Sequence, residues 1–205
     1  MIEKVQDYVI SFENILKLLE SEKLPDGSWI NHLCNDFDTN YSYPDLSEPA
    51  KHDEFQKFKN QIVFDLGAGS SPQTAYKLMN TVGAKGYIGV EPFNFHRAKY
   101  NLEWIMDSLK KENGAIIPAS IISSDMKSVL KKIPDNSVSF ITSGIDDCII
   151  TNNLYFRECA DLIAEKLHRD GIHIDNFSYF NHIAWSNASL HVRPLADYLY
   201  AITKK

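Results

Sequence analysis

Residues 63–72 read VFDLGAGSSP: an apolar run broken once by Asp65, then Gly67, Ala68 and Gly69, then Ser70, Ser71 and Pro72. A short apolar run that stops at glycines reads as a buried strand entering a tight turn. Gly67 and Gly69 remove side chains where the backbone must bend and approach a ligand. Ser70 and Ser71 offer hydroxyls and amides near a helix start, and Pro72 suits the first turn of that helix.

Outward from the turn, short apolar runs alternate with helical stretches. QIVFDLG reads as a strand, PQTAYKLMNTVG as a helix stopped by a glycine, KGYIGVE as a second strand, and NFHRAKYNLEWIMDSLKKENG as a long helix. AIIPASIIS, DMKSVLKKI, SVSFITSG, NLYFRECADLIAEKLHRDG and IHIDNFS continue as strand, helix, strand, helix, strand. This alternation predicts a doubly wound α/β fold with a mostly parallel sheet. The tail offers a short strand at Leu190–Val192, against which Pro194 argues, and an antiparallel final strand in YLYAIT.

The N-terminal part differs. Val5, Val9, Phe12, Leu16 and Leu19 recur at helical spacing and predict a helix from Ile2 to Leu19. Between Pro25 and Pro49 the chain is rich in Asp, Asn, Ser, Pro and aromatics without a period, which reads as an irregular segment, either a packed connector or a lid. The expected organisation is an N-terminal helix and cap over 1–59 and the α/β unit over 60–205, in one compact domain.

Composition narrows the function classes. With 44% hydrophobic and 23% charged residues in 205, the chain buries a real core. A formal net charge of -6 argues against nucleic acid as the main partner, because phosphate binding needs clustered Lys and Arg. The three cysteines, Cys34, Cys148 and Cys159, have neither zinc-site nor disulfide-framework spacing, which suits a reducing compartment. The first residues carry acids throughout and lack a continuous apolar core, so neither a signal peptide nor a membrane span is expected, and a cytoplasmic location is. Asn176-Phe-Ser178 and Asn187-Ala-Ser189 then count as chance glycosylation matches.

Two ligand classes use a strand-glycine-helix turn. A dinucleotide site wants a third glycine where this chain has Pro72, and Asp65 beside the turn suits a cation better than a phosphate. The chain here resembles the class I S-adenosylmethionine-dependent methyltransferases, whose first motif is matched by VFDLGAGS. The resemblance covers roughly Ile62 to Phe177 and the last strand. It implies a site for S-adenosyl-L-methionine in which Asp65 and the turn Gly67, Ala68, Gly69 and Ser70 hold the amino acid end. Glu91, followed by Pro92, would hold the ribose hydroxyls; Asp125 the adenine amine; and the Met126 amide a ring nitrogen. Ser143 would stand where the fourth strand opens into the site. Asp125 also reads as a helix N-cap, so both roles apply.

The acceptor side carries weaker signals. TSGIDD after the fourth strand lacks the Asn/Asp-Pro-Pro-aromatic signature of some amino-methylating relatives, so DNA-base methylation has no support. GIHIDNFSYF resembles the Asp-Asn pair of magnesium-dependent catechol-type O-methyltransferases, which implies Asp175 and Asn176 as ligands with Asp146 or Asp147 as the third. The fourth-strand position expected to be acidic holds Thr142 and Ser143, which departs from that pattern. Asp146 and His182 are the catalytic candidates; of the possible bases His32, His173, His182 and His191 none has a partner spacing that singles it out, His182 follows the fifth strand towards the acceptor, and His173 alternates with Ile172 and Ile174 as a structural strand residue. The expected activity is direct methyl transfer to a small-molecule acceptor, or a docked protein, without nucleic acid or membrane. A catechol-type enzyme, an NAD-binding oxidoreductase and a non-catalytic methyltransferase-like binding protein are the alternatives.

Overall fold

A computed structural model describes residues 10–21, 24–25, 53–142, 153–175, 189–196 and 199–205. Its strands are β1 (Ile62–Leu66), β2 (Gly86–Val90), β3 (Ala119–Ile122), β4 (Ser139–Thr142), β5 (His173–Asp175), β6 (Leu190–Ala196) and β7 (Leu199–Lys204). They form a seven-stranded sheet in the order β3-β2-β1-β4-β5-β7-β6. All pairs from β3 across to β5 are parallel, and β7 runs antiparallel to both β5 and β6. The strand order reverses between β1 and β4, so the crevice beyond their carboxyl ends is where this architecture places ligands.

Five helices cover the described sheet: α1 (Phe12–Ser21), α2 (Gln73–Val82), α3 (Phe95–Asn113), α4 (Met126–Leu130) and α5 (Asn153–Lys166). Alternation along β1 sends its side chains to opposite faces. Phe64 and Leu66 pack with Phe12, Ile15 and Leu19 of α1, Val129 of α4 and Ile163 of α5. Val63 packs instead with Tyr76 and Met79 of α2, Leu102 of α3 and the 3-10 turn Asp53–Phe58. The sheet is thus buried on both sides, which is why its strands read as continuous apolar runs.

Element boundaries follow local chemistry. Helix α2 ends at Gly83 with φ 74 and ψ 44, where the Ala84 N–H donates to Met79 O at 3.0 Å, the glycine-terminated end expected from sequence. The described helix begins at Phe12, where Ser11 Oγ accepts from the Asn14 N–H at 3.2 Å, and Ile10 and Ser11 are not helical, so the expected helix is interrupted there. Residues 2–9 of the expected helix lie outside the described residues. Strand β3 starts after Pro118, whose carbonyl accepts from the Tyr87 N–H at 3.0 Å but which has no N–H to extend the ladder. Strand β6 runs through Pro194 to Ala196, beyond the expected Val192. Among the described strands it is an edge strand, paired with β7 alone, and its register shifts between Pro194 and Ala196. No helix among the described residues is long and apolar enough to cross a membrane.

Candidate functional site

The turn after β1 closes onto the end of β2. Gly67 and Gly69 adopt φ of 80 and 63, left-handed conformations that a side chain disfavours. The N–H groups of Gly67 and Ala68 both donate to Val90 O at 3.1 Å, which bends the chain over the neighbouring strand. Ala68 is fully buried at this fold-over. The space exists because Gly89 has no side chain: a Cβ there would stand 3.0 Å from Ala68 Cβ and 2.6 Å from Ile121 Cδ1. Asn101 of α3 donates from Nδ2 to Ser70 O at 2.6 Å and tethers the far end of the turn.

Glu91 follows β2 directly. Its carboxylate accepts from the Gly69 N–H at 2.9 Å through Oε2, and from the Phe93 and Asn94 N–H groups at 2.8 Å through Oε1. It is 4% exposed, so these charge-assisted bonds replace most of its hydration. One acid therefore joins the glycine turn to the connection carrying Pro92. Its own N–H donates to Ile122 O at 3.0 Å, which ties the end of β2 to β3.

Asp65 is fully buried and accepts from the Tyr87 hydroxyl at 2.6 Å. Gly89 lies opposite Asp65 in the β1–β2 register. Asp125 caps α4 from extended backbone, φ -77 and ψ 152, as its position before MKSVL implied. Its Oδ1 accepts from the Ser128 N–H at 3.0 Å and from the Tyr155 hydroxyl at 3.1 Å, and its Oδ2 from the Ser128 hydroxyl at 2.7 Å. Burial pushes the Tyr155 phenol above its ordinary range, so it stays a neutral donor. Burial likewise pushes the neighbouring Cys159 thiol up to about 12, which favours the protonated thiol. The Met126 side chain packs in the core. The Ser124 hydroxyl donates to Pro25 O at 2.7 Å, so the start of the irregular N-terminal segment is anchored beside Asp125.

On the acceptor side, Asp175 ends β5 in register with Thr142 and is 1% exposed. Ser143, Asp146, Asp147, Asn176, His182 and His32 lie outside the described residues. His173 is a buried strand residue whose Nε2 shares a hydrogen bond with Thr142 Oγ1 at 2.7 Å, and burial pushes its pKa down to about 3. His191 is exposed on β6.

No protein-family model matches the chain, and no curated protein matches it in sequence. Solved structures do. The chain superposes on yhhF of Escherichia coli, a protein assigned as a methyltransferase, with a TM-score of 0.52 and 15% identity, over 75% of this chain and 86% of that one. A protein of Clostridium thermocellum assigned as an rRNA methylase matches at TM-score 0.50 and 14% identity, over 80% of this chain and 97% of that one. WbdD matches at TM-score 0.55 and 12% identity over 92% of this chain and 47% of its own. The fold is that of the class I S-adenosylmethionine-dependent methyltransferases. In this methyltransferase fold Asp65 through Ser70, Glu91 with Pro92, and Asp125 with Met126 fall at the carboxyl ends of β1, β2 and β3, three adjacent strands. Sequence reading missed the side chains that hold those acids, Tyr87, Ser128 and Tyr155, and two residues that shape the glycine turn, Gly89 and Asn101. Tyr87 and Gly89 had a signal, since strand alternation puts both on one face of β2. Tyr155, 30 residues from Asp125, had none.

Proposed function

We propose that the protein is an S-adenosylmethionine-dependent methyltransferase acting on a small-molecule acceptor. The observation that carries this reading is the Glu91 carboxylate, joined to the Gly69 amide at the lip of a left-handed glycine turn and flanked by Asp65 on β1 and by Asp125 in the connection that follows β3. The donor set fits the cofactor. Carboxylates suit an ammonium group, a vicinal diol and an amine, and a turn with two side-chain-free residues lets a ligand lie against backbone.

When bound, the cofactor supplies an activated methyl on a sulfonium, so the protein has to align an acceptor and exclude water. Asp65 and the turn 67–70 would hold the amino acid end, Glu91 the ribose hydroxyls, Asp125 the adenine amine and the Met126 N–H a ring nitrogen. The transfer is a direct displacement, and a base is needed only where the acceptor must lose a proton.

The test is calorimetric titration of the purified, folded protein with S-adenosylmethionine and S-adenosylhomocysteine, with NAD as control. Micromolar binding of the first two alone is expected. Binding of NAD alone would favour the oxidoreductase alternative, and binding of none would leave a binding protein on a methyltransferase fold.

A further inference from the structure

Helix α3 turns Ala98, Leu102 and Ile105 into the core and leaves Arg97, Tyr100, Trp104, Asp107 and Lys111 on the opposite face, all exposed. These five are spaced by alternating steps of three and four, the period of a seam between two helices. Tyr100 is 67% and Trp104 58% exposed, an unusual placement for two large aromatics one turn apart. No ion pair among the described residues uses Arg97 or Asp107.

The seam is self-complementary in one direction only. Two copies of α3 laid antiparallel, with the two-fold axis midway between Tyr100 and Trp104, bring each Tyr100 against Trp104 of the second copy. The same axis brings each Arg97 against Asp107 of the second copy. Parallel pairing would set Arg97, Asp107 and Lys111 each against its own like charge. An isologous contact of this kind is what a two-fold dimer requires.

We propose that the outer face of α3 is a self-association surface through which a second copy of this chain docks antiparallel, with a Tyr100–Trp104 centre and Arg97–Asp107 ion pairs at both ends. The matched positions from Arg97 to Asp107 span about 15 Å of helix, which is small for a specific interface, so the dimer is reversible and concentration-dependent.

Sedimentation velocity from low micromolar to several hundred micromolar protein tests this, on the wild type and on variants of these exposed side chains whose melting temperature is unchanged. The wild-type mass should rise towards two chains with concentration. Trp104→Ala and Arg97→Asp should each stay monomeric, and Arg97→Asp combined with Asp107→Arg should dimerise again. A wild type monomeric throughout overturns the proposal, as does a dimer that survives Trp104→Ala or a charge swap that fails to restore it. A monomeric wild type with Trp104 shielded from a fluorescence quencher, read against Trp104→Phe, means another segment of the chain covers the stripe and overturns it equally.

Discussion

Glu91 Oε2 accepts a hydrogen bond from the Gly69 amide at 2.9 Å, across 22 residues of sequence. With the Phe93 and Asn94 amides on Oε1, three of the roughly four acceptor positions of a carboxylate are taken. A ribose diol that engages Glu91 must therefore share or displace the Gly69 amide. The Gly69 amide resonance is expected to shift on addition of S-adenosylhomocysteine, while that of Gly83, at the far end of α2, stays in place. Binding with an unmoved Gly69 signal would remove Glu91 as the ribose ligand. Glu91→Ala should weaken binding by about 1–3 kcal/mol.

Tyr87 is one partner of the buried Asp65 inside the sheet. Tyr87→Phe preserves the ring and its edge contact with Tyr76, 5.8 Å between centroids, and removes only the hydroxyl. The loss should be about 1–3 kcal/mol of stability, since a buried carboxylate loses a donor. Urea unfolding measures it, and Asp65→Asn in the Tyr87→Phe background should recover part of the loss, because the remaining group no longer carries charge. A Tyr87→Phe protein as stable as the wild type would show that the hydroxyl is dispensable to Asp65.

Tyr155 donates to Asp125 from the first turn of α5, and accepts from the Lys127 N–H at 3.3 Å. Its hydroxyl helps set the orientation of the acid proposed to meet the adenine amine. Tyr155→Phe is expected to weaken S-adenosylhomocysteine binding several-fold and to narrow the preference for it over the analogue in which an oxo group replaces the adenine amine. An equal weakening for both ligands would reduce Tyr155 to a packing role.

His173 sets a pH dependence. Burial pushes its folded pKa to about 3, against 6.5 for an ordinary histidine. Between those values only the unfolded chain takes up the proton, so the stability from a neutral His173 is present above the unfolded value and is lost as pH falls. Denaturant unfolding at about pH 7 and about pH 5.5 should differ by on the order of 1 kcal/mol from this group, with the lower stability at the lower pH. His173→Gln should lack that component, and a variant with the full wild-type slope would place the titration elsewhere.

Much of this protein was legible in its sequence because the signals were local. Glycines at 67, 69 and 83 mark turns that need positive φ, Asp125 stands one residue before a helix, and apolar runs of strand length alternate with helical periods. Those features determined the α/β alternation, the site end of β1 and the acids at the ends of the first strands. Even Pro194 was a local signal, although its meaning depended on where the strand lies: it argued against β6, and an edge position made it harmless.

What only the tertiary structure decided is how those acids are held. A buried carboxylate needs donors, and the donors come from wherever the fold brings a hydroxyl or amide within reach: Gly69 for Glu91, Tyr87 for Asp65, Tyr155 for Asp125. Each pairing joins residues 22 or 30 apart, and no periodicity within a strand or helix extends that far. Strand order is the same kind of information: β1 lies between β2 and β4 because the crossovers reverse direction there. The chain alone carries which residues want burial, charge or a turn, and the packed sheet selects which of them meet.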